Sequence, residues 1–342
     1  MEAPGGGEVP VTDDVAAVVT AFRPGPGLVE LVRSLAAQTG RVIVVDDGSG
    51  PDADAVLDGA VAAGADVVRH DTNRGIAAAL NTGVAAARAA FARAAGSAGH
   101  AEPAGTDPAA GATGPAAGHL AAVVTFDQDS TVDAGFIATL LATYRDAAGA
   151  GLRVGLVAPA RVEGLPSPVS GYERGFVLGG TPIQSGLLIP VATLDRIGRF
   201  AEPLFIDGVD TDYALRTAAA GLVVLLAGGA TLGHSLGERH PLTLFGRPLR
   251  LGGQPLSFVV SKPFRYYYLL RNRVLLNRMH GRRNRAWSIR ETLGDLRHCA
   301  IVLAVAPGRM RRVTAMCAGL RDGWAGRTGR IPAALEARIA GR

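Results

Sequence analysis

Lysine is almost absent from this chain. Lys262 is the only one among 342 residues, so arginine supplies nearly all the basic charge. Cysteine is scarce too: Cys299 and Cys317 are the two present. Their spacing fits neither a disulfide scaffold nor a zinc site. No uncharged run reaches the roughly 18 residues that a spanning helix needs. The stretch from Cys299 to Pro307 is apolar but too short. The first ten residues are rich in Gly and Pro and carry two glutamates, so no signal peptide is expected. Neither the P-loop nor the dinucleotide glycine fingerprint occurs, which argues against both enzyme classes. No nucleic-acid-binding module is present either, and no nucleic-acid partner is expected. No repeat of 20–50 residues is apparent.

What is present is a core and an uneven charge. Apolar residues make up 48% of the chain, enough for one large α/β domain with a helical extension. The net charge of +5 hides an asymmetry. Residues 239–342 hold 21 Lys+Arg against 4 Asp+Glu, while residues 1–238 are net acidic. A basic C-terminal surface suits an anionic membrane surface or an anionic carrier. A GC-rich genome is the other reading of the preference for arginine over lysine.

Apolar runs at 15–19, 41–45, 66–70, 121–126, 154–158, 184–190 and 223–227 read as strands. Helical spacing occupies 28–38, 52–63, 76–95, 133–147 and 210–220, with a short helix near 193–197. From Pro263 onward the pattern is helical and basic. Strands alternating with helices imply a doubly wound α/β sheet, whose ligands bind beyond the carboxyl ends of the strands. Residues 96–118 are low in complexity and read as a flexible surface insertion, flanked by solvated His100 and His119.

Asp127-Gln128-Asp129 follows the fourth of these strands. Residues i and i+2 of an extended segment share a face, so two carboxylates meet there. They repel unless a cation lies between them, and a hard divalent ion with open positions for phosphate oxygens resolves the conflict. A solvated polar strand end is the alternative. Asp46-Asp47-Gly48-Ser49 ends the second strand and reads either as a receptor for a pyrimidine N–H or ribose hydroxyl, or as a capping turn. Asn73-Arg74-Gly75 precedes a helix whose N-terminus could hold an anion, with Asn73 as a simple cap in the other reading.

Taken in order, these residues resemble family 2 glycosyltransferases of the GT-A fold. They look most like the bacterial rhamnosyltransferases that use a dTDP-sugar. The resemblance runs through Val18 to Phe22, Val44 to Ser49, Asn73 to Gly83, Phe126 to Ser130 and Gln184-Ser185-Gly186. It continues through Leu204 to Asp212, Gly233 to Gly237, Arg265 to Tyr268 and Arg271-Asn272. It covers roughly 15–275, and its specificity lies in order and spacing.

The resemblance implies a GT-A domain over 10–240 with a doubly wound mixed sheet, then a basic helical region over 241–342. Thr20, Ala21, Phe22 and Arg23 would meet the base and phosphate, with Asp46, Asp47, Asn73, Arg74, Gly75, Asp127 and Gln128 also on the donor nucleotide. Asp127, Asp129 and His234 would hold Mg²⁺ or Mn²⁺. Gln184, Ser185, Gly186 and Asp207 would line the sugar or acceptor pocket. Asp210 would be the base of an inverting transfer, with Asp207 and Asp212 as rivals; many members carry Glu-Asp where this chain has Val209-Asp210. Tyr266, Tyr267 and Tyr268 would either cover the site or join the helices as core aromatics. The implied activity is metal-dependent transfer of a deoxyhexose, L-rhamnose from dTDP-L-rhamnose, to a glycan or polyprenyl-linked acceptor. A cytoplasmic place at the inner membrane face goes with it. UDP-galactofuranose as donor, or a silent nucleotide-sugar binder, are the competing readings.

Overall fold

A computed structural model describes residues 11–98, 119–233, 239–306 and 308–340, except 242, 245, 246, 249, 252, 253 and 256. It forms two compact units: residues 1–200 with 213–234, and residues 201–212 with 235–342.

The first unit is built on a mixed sheet. Its opening elements are β1 (Thr12–Ala21), α1 (Gly27–Ala36), β2 (Thr39–Asp46), α2 (Asp54–Ala62), β3 (Ala65–Arg69) and α3 (Ile76–Ala98). Then come β4 (Ala122–Asp127), β5 (Thr131–Val132), α4 (Phe136–Gly149), β6 (Val154–Val162) and β7 (Leu165–Pro166). The hairpin β8 (Val169–Glu173) and β9 (Phe176–Gly179) precedes β10 (Leu187–Pro190), α5 (Val191–Ile197), α6 (Val209–Ala219, of which residues 209–212 belong to the second unit) and β11 (Val223–Gly233). The strands run β3-β2-β1-β4-β10-β6-β11-β9-β8. The first four are parallel, β10 is antiparallel to β4 and β6, and β11 is parallel to β6.

Continuous apolar runs made this possible, because a parallel strand covered on both faces has no polar side. Val15 to Val19 of β1 are all fully buried. One β1 face, with Val15, Ala17 and Val19, packs with Leu28, Leu31 and Leu35 of α1 and Phe136 and Leu140 of α4. On the other face Val18 meets Gly83 of α3. Each fully buried Leu or Val contributes about 1.5–3 kcal/mol.

The strands and helices expected from periodicity are present, with shifted ends. The β8–β9 hairpin was not expected, since its Gly-rich residues alternate only weakly. Residues 96–98 finish α3 instead of opening the insertion, whose remainder, with His100, lies outside the described residues.

The second unit contains α7 (Pro263–His280), α8 (Arg285–Val305), α9 (Arg309–Trp324) and α10 (Ala333–Ala340). Tyr266, Tyr267 and Tyr268 are each 1% exposed and belong to its core, which resolves their role in favour of packing. Asp322 is fully buried and accepts hydrogen bonds from the Tyr267 hydroxyl (2.9 Å), Arg321 Nε (2.9 Å) and Arg327 Nη1 (3.2 Å). No helix among the described residues is long and apolar enough to cross a membrane.

Candidate active site

The parallel strands bring three loops together at their carboxyl ends. Asp46 and Asp47 end β2, and both are buried. Asp46 accepts from the Ser49 amide (3.2 Å), the Ser49 hydroxyl and Arg69 Nε (3.2 Å). Asp47 accepts from the Arg74 amide (2.9 Å), the Gly75 amide (2.7 Å) and His70 Nδ1 (2.8 Å). His70 Nε2 in turn meets the Thr82 hydroxyl at 2.9 Å. Gly48 is pressed against the Thr72–Asn73 backbone, with a positive φ of 76°. A side chain there would collide with main chain.

These contacts bear on two expectations. The amides of Arg74 and Gly75, in the loop just before α3, donate to the carboxylate of Asp47. Asp47 thereby ties the end of β2 to the loop before α3, and Asp46 ties it to Ser49 and Arg69. His70 was missed as a partner of Asp47, because the end of a strand carries no signal for a hydrogen bond to a residue 23 positions away.

The end of β1 is also tied down. Gln128 Oε1 accepts from the Phe22 amide (2.7 Å), and Gln128 Nε2 donates to the Phe22 carbonyl (3.2 Å). The Arg23 amide donates to the Ser49 hydroxyl (2.7 Å), and the Asp47 amide to the Ala21 carbonyl (2.8 Å). Thr20 Oγ1 lies 3.4 Å from the Phe126 carbonyl. The backbone edge of residues 20–23 therefore has partners within the fold, and the Gln128 amide joins β4 to β1. Backbone groups that run out of sheet partners must find others. What remains outward is side chain: Phe22 is 37% exposed, with the Arg23 guanidinium 5.1 Å from its ring centroid.

At the end of β4 the chain does not stay extended. The Ser130 amide donates to the Asp127 carbonyl (3.1 Å), closing a turn in which Gln128 and Asp129 sit. Strand periodicity therefore does not set the directions of Asp127 and Asp129. Asp127 is half-buried and Asp129 exposed. The Ser185 hydroxyl accepts from the Asp127 amide (3.2 Å) and bonds the Ser130 hydroxyl (2.6 Å). Thr125 Oγ1 donates to the Gln184 carbonyl (2.6 Å), and the Gly186 amide to the Thr125 carbonyl (2.7 Å). The loop 184–186 is thus stitched alongside β4. Gly186 (φ 74°) has Phe136, Leu232 and Pro159 where a side chain would be. Core packing and its backbone angle both account for its missing side chain.

Gln184 stands apart. It is 6% exposed, and neither its amide nitrogen nor its amide oxygen has a hydrogen-bond partner. A buried amide left without partners costs about 1–3 kcal/mol. It is the kind of group that a ligand satisfies.

The carboxylates of Asp127 and Asp129 are hard oxygen donors within reach of solvent, as a divalent ion bound partly by phosphate and water requires. Among the described residues no group of three His, Cys, Asp or Glu side chains is gathered for a metal. The expected third ligand, His234, lies outside the described residues.

In the second unit, residues 204–212 form a strained entry to α6. Phe205 and Asp207 have φ of 65° and 63°, a conformation costly for residues with side chains. Arg271, fully buried, and Asn272 hold this segment by its carbonyls. Arg271 Nη2 donates to Leu204 (2.8 Å); Asn272 Nδ2 reaches Leu204 (3.0 Å), Ile206 (2.7 Å) and Asp207 (2.7 Å). Asp210 lies in the first turn of α6 and accepts from the Thr211 amide (2.7 Å). Burial pushes the Asp210 carboxyl above its ordinary range; the Thr211 amide opposes this and the nearby Asp207 adds to it. Burial raises Asp207 too, against the opposing charge of Arg265 at 3.7 Å. Asp212 is fully buried and meets His280 Nε2 at 2.9 Å. His280 was not foreseen, being 68 residues away.

The sequence profile described as Glycosyl transferase family 2 matches residues 16–92. The dTDP-rhamnosyl transferase RfbF of Shigella flexneri is 26% identical over 223 residues, covering 60% of this chain and 70% of that protein. Among solved structures, TarS of S. aureus superposes with a TM-score of 0.49 at 13% identity, over 95% of this chain. This chain spans half the length of TarS. The inositol-1-phosphate CTP transferase from T. maritima superposes with a TM-score of 0.36 at 13% identity, over 66% of this chain and 89% of that one.

Proposed function

We propose, from the premise that this chain is a glycosyltransferase of family 2, that it transfers L-rhamnose from dTDP-L-rhamnose, with inversion, to a glycan or polyprenyl-linked glycan in cell-envelope polysaccharide synthesis. The observation that carries the reading is the loop pair at the end of β4. There, solvent-reachable Asp127 and Asp129 adjoin a loop whose buried Gln184 amide has no partner in the protein. The choice of donor leans on the likeness to the Shigella flexneri dTDP-rhamnosyl transferase.

The Phe22 ring and the Arg23 side chain would receive the base and a phosphate, and Arg74 would add charge on the donor. Asp127 and Asp129 would hold Mg²⁺ or Mn²⁺. Such an ion supplies positive charge to a diphosphate as it departs. Gln184 would hydrogen-bond sugar hydroxyls with both ends of its amide, and so reject a sugar lacking them. Asp210 would take the proton of the acceptor hydroxyl as that oxygen bonds to C1 and the C1–O bond to the diphosphate breaks. Burial raises its carboxyl, so it holds the proton more firmly than an ordinary aspartate would. Asp207, paired with Arg265, would orient the acceptor. The basic region 241–342 would bring the enzyme to the anionic inner face of the cell membrane from the cytoplasm.

A donor panel tests the reading. Purified enzyme with Mn²⁺ or Mg²⁺ and a lipid-linked glycan acceptor is expected to release dTDP from dTDP-L-rhamnose, well ahead of UDP from UDP-galactofuranose. A preference for the uridine donor would remove the rhamnosyl assignment. Tight donor binding with no turnover on any acceptor would make the chain a binder.

A further inference from the structure

Helix α8 (Arg285–Val305) is inside out over its first four turns. The side it turns toward α7 is polar. Arg273 pairs with Asp295 at 2.6 Å and Glu291 at 3.9 Å, Asn277 donates to Thr292 (2.9 Å), and Ser288 donates to Asn277 (2.7 Å). The side turned to solvent carries Ile289 (61% exposed), Leu293 (61%) and Leu296 (53%). Their spacing of i, i+4 and i+7 forms one stripe along the helix. Arg285, Arg290 and Arg297, all exposed, flank that stripe, and Arg282 and Arg283 precede it. A helix with only water outside would place these two faces the other way round. Its ion pairs and amide bonds to α7 fix the orientation, so the apolar stripe stays outward.

We infer that this face of α8 inserts into the interfacial layer of an anionic lipid bilayer. Ile289, Leu293 and Leu296 would enter the acyl boundary, with the bordering guanidinium groups on lipid phosphates. Charge decides the occupant. A second copy of the chain would bring another set of arginines against this set, whereas an anionic bilayer supplies both apolar depth and negative headgroups. Arginine carries an apolar stem beneath a charged head, which suits that border. The inference rests on the reading of the basic region as membrane-facing, and adds that hydrophobic insertion by α8, rather than charge alone, holds the protein there.

The test is co-flotation of the full chain with vesicles of phosphatidylcholine alone or mixed with phosphatidylglycerol. The wild type is expected to float with the anionic vesicles at low salt. The triple variant Ile289→Ser, Leu293→Ser, Leu296→Ser, at positions already exposed, is expected to bind about a hundredfold more weakly while keeping its melting temperature. A Leu293→Trp variant should show blue-shifted emission on binding. Undiminished binding by the triple variant, or a Trp spectrum that stays red, would overturn insertion and leave charge alone. No flotation of the wild type at low salt would overturn the membrane reading as well. A wild-type dimer in sedimentation that the triple variant dissociates, with vesicle binding unaltered, would assign the stripe to self-association instead.

Discussion

Two pairs of acids end the parallel strands on either side of β1, and they differ in burial. Asp46 and Asp47, after β2, are buried, and their oxygens accept from Ser49, Arg69, His70, Arg74 and Gly75. Asp127 and Asp129, after β4, remain half-buried and exposed. Topological position alone therefore does not set how deeply a carboxylate is buried. The difference lies in what the next loop brings: the loop before α3 delivers amides to Asp47, whereas the loop 184–186 delivers a serine and an unsatisfied glutamine to β4.

The contrast can be broken, beginning with the largest effect. Asp210→Asn is expected to lower kcat by roughly 10²–10⁴-fold while leaving donor affinity intact by calorimetry. Unchanged turnover would remove Asp210 as the base. Because a base must be ionised and burial raises this carboxyl, the acid limb of kcat/KM should lie above the ordinary aspartate range. The protonated carboxyl favours the folded state, and that contribution is lost as pH rises through the folded-state value.

Next come the two pairs themselves. Asp47→Asn turns an amide donor toward groups that already donate, and should cost about 2–3 kcal/mol of stability in urea unfolding. Asp129→Asn should change stability by less than about 1 kcal/mol, yet sharply reduce turnover. Equal destabilisation by both would erase the distinction between the two pairs. The smallest effect is expected at Gln184. Gln184→Leu replaces an unsatisfied amide with an apolar group of similar size and should raise stability by about 1 kcal/mol while raising the KM for donor or acceptor. A loss of stability would mean that the amide has a structural partner.

Much of the fold was legible because burial writes a period into the chain. The all-apolar run Val15 to Val19 allowed only a strand covered on both faces, and Leu28, Leu31, Val32 and Leu35 allowed only a one-sided helix. The motifs at Asp46-Asp47, Asp127-Gln128-Asp129 and Asp210 were visible for the same local reason: each follows or opens a regular element. The roles of individual atoms were less legible. Gln128 reads as a nucleotide contact from its neighbours, and only the structure shows that its amide bonds the Phe22 backbone. The tyrosines at 266–268 could have faced a ligand or a core, and nothing local distinguishes the two.

Composition and periodicity by themselves determined the class of fold, the succession of strands and helices, and the segregation of arginine into the last hundred residues. These are properties of short windows, set by which side chains avoid water. Only the tertiary structure decided which carboxylates are consumed by hydrogen bonds, that Gln184 is buried without a partner, that His280 reaches Asp212, and that α8 turns its polar side inward. Those outcomes depend on donors and acceptors from distant segments competing for the same few ångströms, a contest that no single window of sequence contains.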